Sequence, residues 1–168
     1  SGVAQLLPQI IPLKIALSSK KGTRELHIPL LNGTRYTQAG SFEKEQSDGT
    51  LDKQKELVTT NTLDGFLKER RIEKVDFIKC DTEGHELDVF AGAEECLRNM
   101  QPILMLELYS TRGKEYRENA FEFFSRFGYQ PYAIDKETGT LTQATPVGHY
   151  HSANYFFFPS DRAEELLQ

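Results

Sequence analysis

Apolar positions along this chain change their period several times, and each change marks a boundary between elements. Across residues 75–80 they are dense, V-D-F-I-K-C, whereas Leu87, Phe90, Ala93, Leu97 and Met100 recur every three or four positions. The first pattern is that of a short strand and the second that of one helix face, so a strand, a turn over 81–86 and a helix over 87–100 are expected. Upstream, 13–17 and 23–30 read as strands, 56–60 as a brief extended piece, and the polar residues 59–62 as caps for a short helix carrying Leu63, Phe66 and Leu67. Downstream, Pro102 introduces a nearly continuous apolar run over 103–109, the signature of a strand covered on both faces. Tyr116, Ala120, Phe123, Phe124 and Phe127 then form a helical stripe, read as core, which Gly128 ends. Residues 129–134 predict a strand, 135–139 a turn, 141–144 a return strand and 154–158 a last strand before a short terminal helix. Residues 1–12 are apolar but broken by Pro8 and Pro12, and 32–55 lose all periodicity. That second stretch reads as a long loop, the kind that is functional or disordered in compact domains.

A length of 168 residues, 38% of them hydrophobic, suffices for one domain with a core. Strands alternating with helices predict α/β architecture, a mostly parallel sheet with helices on both faces and one antiparallel strand in the last pair. A net charge of −5 argues against a nucleic-acid surface, which needs clustered Lys and Arg. There is no membrane-spanning apolar run and no secretory pattern, so a cytoplasmic protein is expected. The two cysteines, Cys80 and Cys96, make no disulfide framework and read as buried thiols.

The chemistry concentrates in the turn. Asp81, Thr82, Glu83, Gly84, His85 and Glu86 bring three carboxylates and an imidazole to the carboxyl end of a strand, where open α/β sheets place their ligands. Taken alone, the cluster is more simply a helix start, with Thr82 or Asp81 as cap, Glu83 and Glu86 favouring the positive helix end and Gly84 making the turn. Asp81, Glu83 and His85 also offer ligands to a divalent ion, but alternate residues of one turn do not converge without a further ligand, so no metal is expected. Lys79 and Glu107 interrupt two strands; buried charges need partners, so they are expected on neighbouring strands near their ends, paired or facing the site. His149 and His151 are read as exposed loop histidines rather than a metal pair.

The string 75–87, the Ala91-Gly92-Ala93 after it, Thr62-Leu63-Asp64 before it and the run 102–107 together resemble the FkbM family of S-adenosylmethionine-dependent methyltransferases. Ala16-Leu17-Ser18, with Gly22 beyond, is similar to that family's third strand, and the resemblance covers residues 13–110. It implies a Rossmann-like class I methyltransferase fold, S-adenosylmethionine as cofactor, and methyl transfer to a hydroxyl of a sugar or small metabolite. By that likeness Asp81 and Glu83 lie near the cofactor's methionine end and the acceptor, and Ala16, Leu17 and Ser18 near its adenine. His85 has the ordinary titration range of a general base, so His85 or Glu83 is the expected base and Asp81 an anchor. The chain departs from the family in having no G-x-G turn, the backbone that approaches a cofactor most closely. It is therefore expected to be a single FkbM-like domain over 1–168, N-terminally incomplete, with a gap between the third strand and the central one. The alternative is a catalytically inactive interaction or scaffold module of the same fold. A small-molecule or saccharide acceptor is expected to meet 32–55 and 141–151, with no nucleic-acid or membrane partner, and an exposed sheet edge would favour a homo-oligomer.

Overall fold

A computed structural model of the chain describes residues 9–35, 40–42, 52–108, 113–148 and 150–166. In order these form β1 (Ala16–Leu17), β2 (Gly22–Leu31), β3 (Thr34–Arg35), β4 (Lys53–Asn61), α1 (Leu63–Arg70), β5 (Phe77–Cys80), α2 (Glu86–Ala91) and α3 (Glu94–Asn99). After them come β6 (Ile103–Glu107), α4 (Gly113–Ser125), β7 (Tyr129–Asp135), β8 (Leu141–Gln143), β9 (Tyr150–Pro159) and α5 (Ala163–Leu166). The α/β class is as expected. The sheet is not: there are two, ordered β1-β4-β2-β3 and β5-β6-β9-β7-β8, and both are mixed.

Among the described residues only β1 with β4 and β5 with β6 pair in parallel, which corrects the expectation of a mostly parallel sheet. Connection length accounts for two of the antiparallel pairs. A parallel pair needs a crossover of a dozen residues or more, whereas a tight turn returns the chain antiparallel. Asn32 and Gly33, both at positive φ (51° and 75°), turn β2 straight into β3, and residues 136–140 turn β7 into β8. Part of the stretch 32–55 is thereby a hairpin, and β4 begins at Lys53, earlier than expected. β5 lies at the edge of its sheet, and among the described residues no strand joins it to the other sheet.

The expected single helix over 87–100 is two helices, broken at Gly92 and Ala93. A Cβ on Gly92 would run into the Ser18 carbonyl oxygen and meet the Thr62 side chain, so the chain here passes too closely for any side chain. Thr62 caps α1 by accepting from the Gly65 amide at 3.0 Å, and the Asp64 amide donates to the Gly92 carbonyl at 3.0 Å. The Asp64 carboxylate in turn accepts from the amides of Glu95 and Cys96, both at 2.9 Å, supplying α3 with the cap that its own sequence lacks. Thr62-Leu63-Asp64 and Ala91-Gly92-Ala93 are thus two halves of one interlock.

Helices α2, α3 and α4 cover a core in which Phe90, Leu97, Leu104, Leu106, Phe124 and Phe157 are completely buried. Phe124 is its centre, with ring centroids 5.0 Å from Phe90 and 4.5 Å from Phe157, so the aromatic stripe of α4 is indeed core. Cys80 and Cys96 are free and buried, and burial pushes their thiols up to about 12 and about 11. No described helix is long and apolar enough to cross a membrane.

Candidate functional site

The loop from Asp81 to His85 is held by the residue that follows it. Glu86 opens α2 with 1% of its surface exposed. Its Oε1 accepts from the Thr82 amide (2.9 Å), the Thr82 hydroxyl (2.9 Å) and the Gly84 amide (3.1 Å), and its Oε2 from the Tyr116 hydroxyl of α4 (2.5 Å). A buried carboxylate is tolerated only when its oxygens are satisfied in this way. Between its anchored neighbours, Glu83 takes a φ of 54°, a conformation that costs a side-chain-bearing residue roughly 1 kcal/mol or more and persists only where the surroundings impose it. Ser41 adds a hydrogen bond from its hydroxyl to the Glu83 carbonyl at 3.1 Å.

His85 faces the other sheet. Its ring is buried, with Nε2 3.0 Å from the Ser18 hydroxyl and 3.2 Å from Nη1 of Arg24. An arginine has only donors, so Nε2 accepts and the ring proton sits on Nδ1, 3.5 Å from the Asp88 carboxylate. Arg24 Nη1 also donates to the Ser18 hydroxyl at 3.1 Å. The Phe42 ring lies edge-on to the imidazole at 4.9 Å and beneath the Arg24 guanidinium at 4.9 Å. The nitrogen that a general base would use is therefore already engaged, and the imidazole joins β2, the turn after β1 and the 40–42 segment to the loop.

Two carboxyls at the end of β5 are displaced in opposite directions. The Lys79 ammonium donates to Asp81 at 2.6 Å and, reinforced by a hydrogen bond with Glu107, holds the Asp81 carboxyl below the usual range. Burial first, and then the charges of Asp81 and Glu86, raise the Glu83 carboxyl. Lys79 and Glu107 are on adjacent parallel strands near their carboxyl ends, as expected, and the Glu107 charge helps to raise the Lys79 ammonium's pKa after the larger effect of Asp81.

A cleft of about 610 Å³ lies between the two sheets, along the unpaired side of β5. Its walls are apolar, with Leu17, Leu26, Leu63 and Ile78 among them, and its polar groups come from Ser41, Lys79, Asp81, Thr82 and His85. Of the residues expected at the site, Ala16, Leu17, Asp81 and His85 line it; Ser18 and Glu83 do not, Ser18 turning to His85 and Glu83 standing half-buried beside Asp81. Sequence reasoning missed Arg24, which stands 61 residues from His85 with no local motif to mark it. It also placed Glu86 only as a helix-end charge: Thr82 and Glu86 stand four residues apart rather than the three of a capping box, so no local motif marked the bonding observed. Among the described residues no three His, Cys, Asp or Glu side chains converge as metal ligands would. His149 and the His151 side chain lie outside the described residues.

A family model described as Methyltransferase FkbM domain matches residues 5–131. The chain belongs to the methyltransferase FkbM family. That span takes in the cleft, the Glu86-anchored loop and the interlock around Gly92, so the features that build the site in this FkbM domain fall inside the family match. No curated protein and no solved structure matches the chain.

Proposed function

We propose that this FkbM domain transfers a methyl group from S-adenosylmethionine to a hydroxyl of a sugar or small metabolite, with Asp81 as anchor and Glu83 as general base. The observation that carries the reading is the pair of carboxyls at the end of β5, one held low by Lys79 and one raised by burial. Environments that drive neighbouring acids apart in this way assign them different roles. We read the β5-β6-β9-β7-β8 sheet as part of a Rossmann-like class I sheet, because β5 and β6 run parallel and present Asp81 and Glu107 at their carboxyl ends.

The cleft's size and walls fit the cofactor. Its volume is within the range of small-molecule sites; Leu17, Leu26 and Leu63 offer an apolar bed for an adenine, and Asp81 offers a negative group to a cation. The cofactor, when bound, supplies a methyl group on a sulfonium. The chain's own residues then have three tasks. Asp81, stiffened by Lys79, orients the positive end. Glu83 takes the proton of the acceptor hydroxyl, for which a raised pKa suits it better than Asp81. His85 keeps the loop against the other sheet through Ser18 and Arg24.

Calorimetric titration with S-adenosylmethionine tests the reading. Saturable binding is expected, weakened about tenfold or more by Asp81→Ala, the scale of one contact with a charged group. Glu83→Gln should leave that binding nearly unchanged and lower transfer to an acceptor by about 10² to 10⁴-fold. Absence of binding by the folded chain, or equal binding by Asp81→Ala, would sink the assignment and favour a non-catalytic scaffold role.

A further inference from the structure

A second cavity, of about 250 Å³, has a different character. Leu108, Gly148 and Ala153 line it without polar side chains, while Arg117, Lys136, Tyr150, Ser152 and Tyr155 bring groups that can donate hydrogen bonds. Among the described residues no acidic side chain lines it. Arg117, on α4, is half-buried; its Nε donates to the Pro146 carbonyl at 3.0 Å and its guanidinium hydrogen-bonds the Tyr155 phenol. Lys136 is exposed, and no carboxylate of the described residues pairs with either cation. Asp135, next to Lys136 in sequence, has its Oδ1 taken by the turn amides of Glu137 and Thr138 and by the Thr138 hydroxyl.

The wall is built rather than incidental. The Tyr150 hydroxyl accepts from the Thr145 amide at 2.6 Å, and a Cβ on Gly148 would run into the Tyr150 ring, so a glycine there lets the ring close the side of the cavity. A guanidinium and an ammonium that no carboxylate of the described residues pairs, facing one concave space with hydroxyl donors, match the fork geometry and charge of an oxyanion. Leu108 stands just past the carboxyl end of β6, and β6 pairs with β5. The cavity therefore lies toward the same end of these parallel strands as Asp81.

We propose that this cavity binds a small oxyanion, the phosphate, sulfate or carboxylate group of a small molecule or the free ion. The binding claim does not depend on methyl transfer. It is tested by calorimetric titration of the chain with inorganic phosphate at low ionic strength, beside Arg117→Gln, Lys136→Gln and, as control, Lys114→Gln, whose exposed lysine pairs with Glu118 on α4. Saturable binding is expected, weakened about tenfold by either of the first two changes and unaltered in the control. Because Arg117 also holds the Pro146 carbonyl, the Lys136 variant keeps the test decisive if Arg117→Gln unfolds. Glucose 6-phosphate binding more tightly than phosphate would identify an anion carried on a larger molecule, and equal affinities a free-ion site. Lack of saturation, or binding that Lys136→Gln leaves intact, would overturn the proposal.

Discussion

Removing the Glu86 carboxylate is the sharpest test of how the loop is held. Four donors converge on this carboxylate, at 2.5 to 3.1 Å, in a site with 1% exposure. A hydrogen bond to a charged group contributes about 1.5–3 kcal/mol. Four on one carboxylate do not simply add, and the desolvation of the charge offsets part of the gain. Glu86→Ala is therefore expected to cost about 3–5 kcal/mol, the cost of breaking a buried charged network. For a chain of this size that is a fall in midpoint temperature of about 10 °C. Tyr116→Phe removes one of the four bonds without a large cavity, and should cost about 1.5–2 kcal/mol in the parent and much less in the Glu86→Ala background. Urea unfolding followed by circular dichroism gives all the corners of this cycle. A loss below about 1 kcal/mol for Glu86→Ala, the middle of the ordinary range for point changes, would refute the reasoning. So would an undiminished effect of Tyr116→Phe when Glu86 is absent.

Folding raises the Glu83 carboxyl above its usual 4.5, so the native state holds that proton more tightly than the unfolded chain, and stability falls as pH rises from about 4.5 through the raised value. Glu83→Gln should accordingly melt above the parent at pH 7 and lose the advantage near pH 4; a variant that melts at or below the parent at pH 7 would contradict the sign. Gly92→Ala forces a methyl group against the Ser18 carbonyl and Thr62 and is expected to cost about 1–3 kcal/mol by overpacking; unchanged urea stability would show that this approach does not break the helix.

Much of this was legible locally. The apolar run before Asp81 and the three-and-four spacing after Leu87 placed β5 and the helical segment after it, because strand and helix periods are properties of neighbouring residues. The stripe from Tyr116 to Phe127 likewise marked α4 and its buried face. The break at Gly92 was not legible, since the backbone that excludes a side chain there comes from Ser18 and Thr62, far away in the chain. The same holds for His85. The general chemistry of a histidine made it a natural candidate for a base, but the groups that occupy Nε2 come from β2 and the turn after β1.

By itself the sequence determined the α/β class, the element order through the centre of the chain, the family resemblance carried within residues 13–110, and the concentration of acidic groups at the end of β5. Only the tertiary structure decided that the strands divide into two mixed sheets around a cleft, that Glu86 anchors the loop, and that Asp81 and Glu83 are driven in opposite directions. The division has one physical cause. Periodicity and turn chemistry act between near neighbours, whereas burial, charge proximity and sheet pairing depend on residues that only folding brings together.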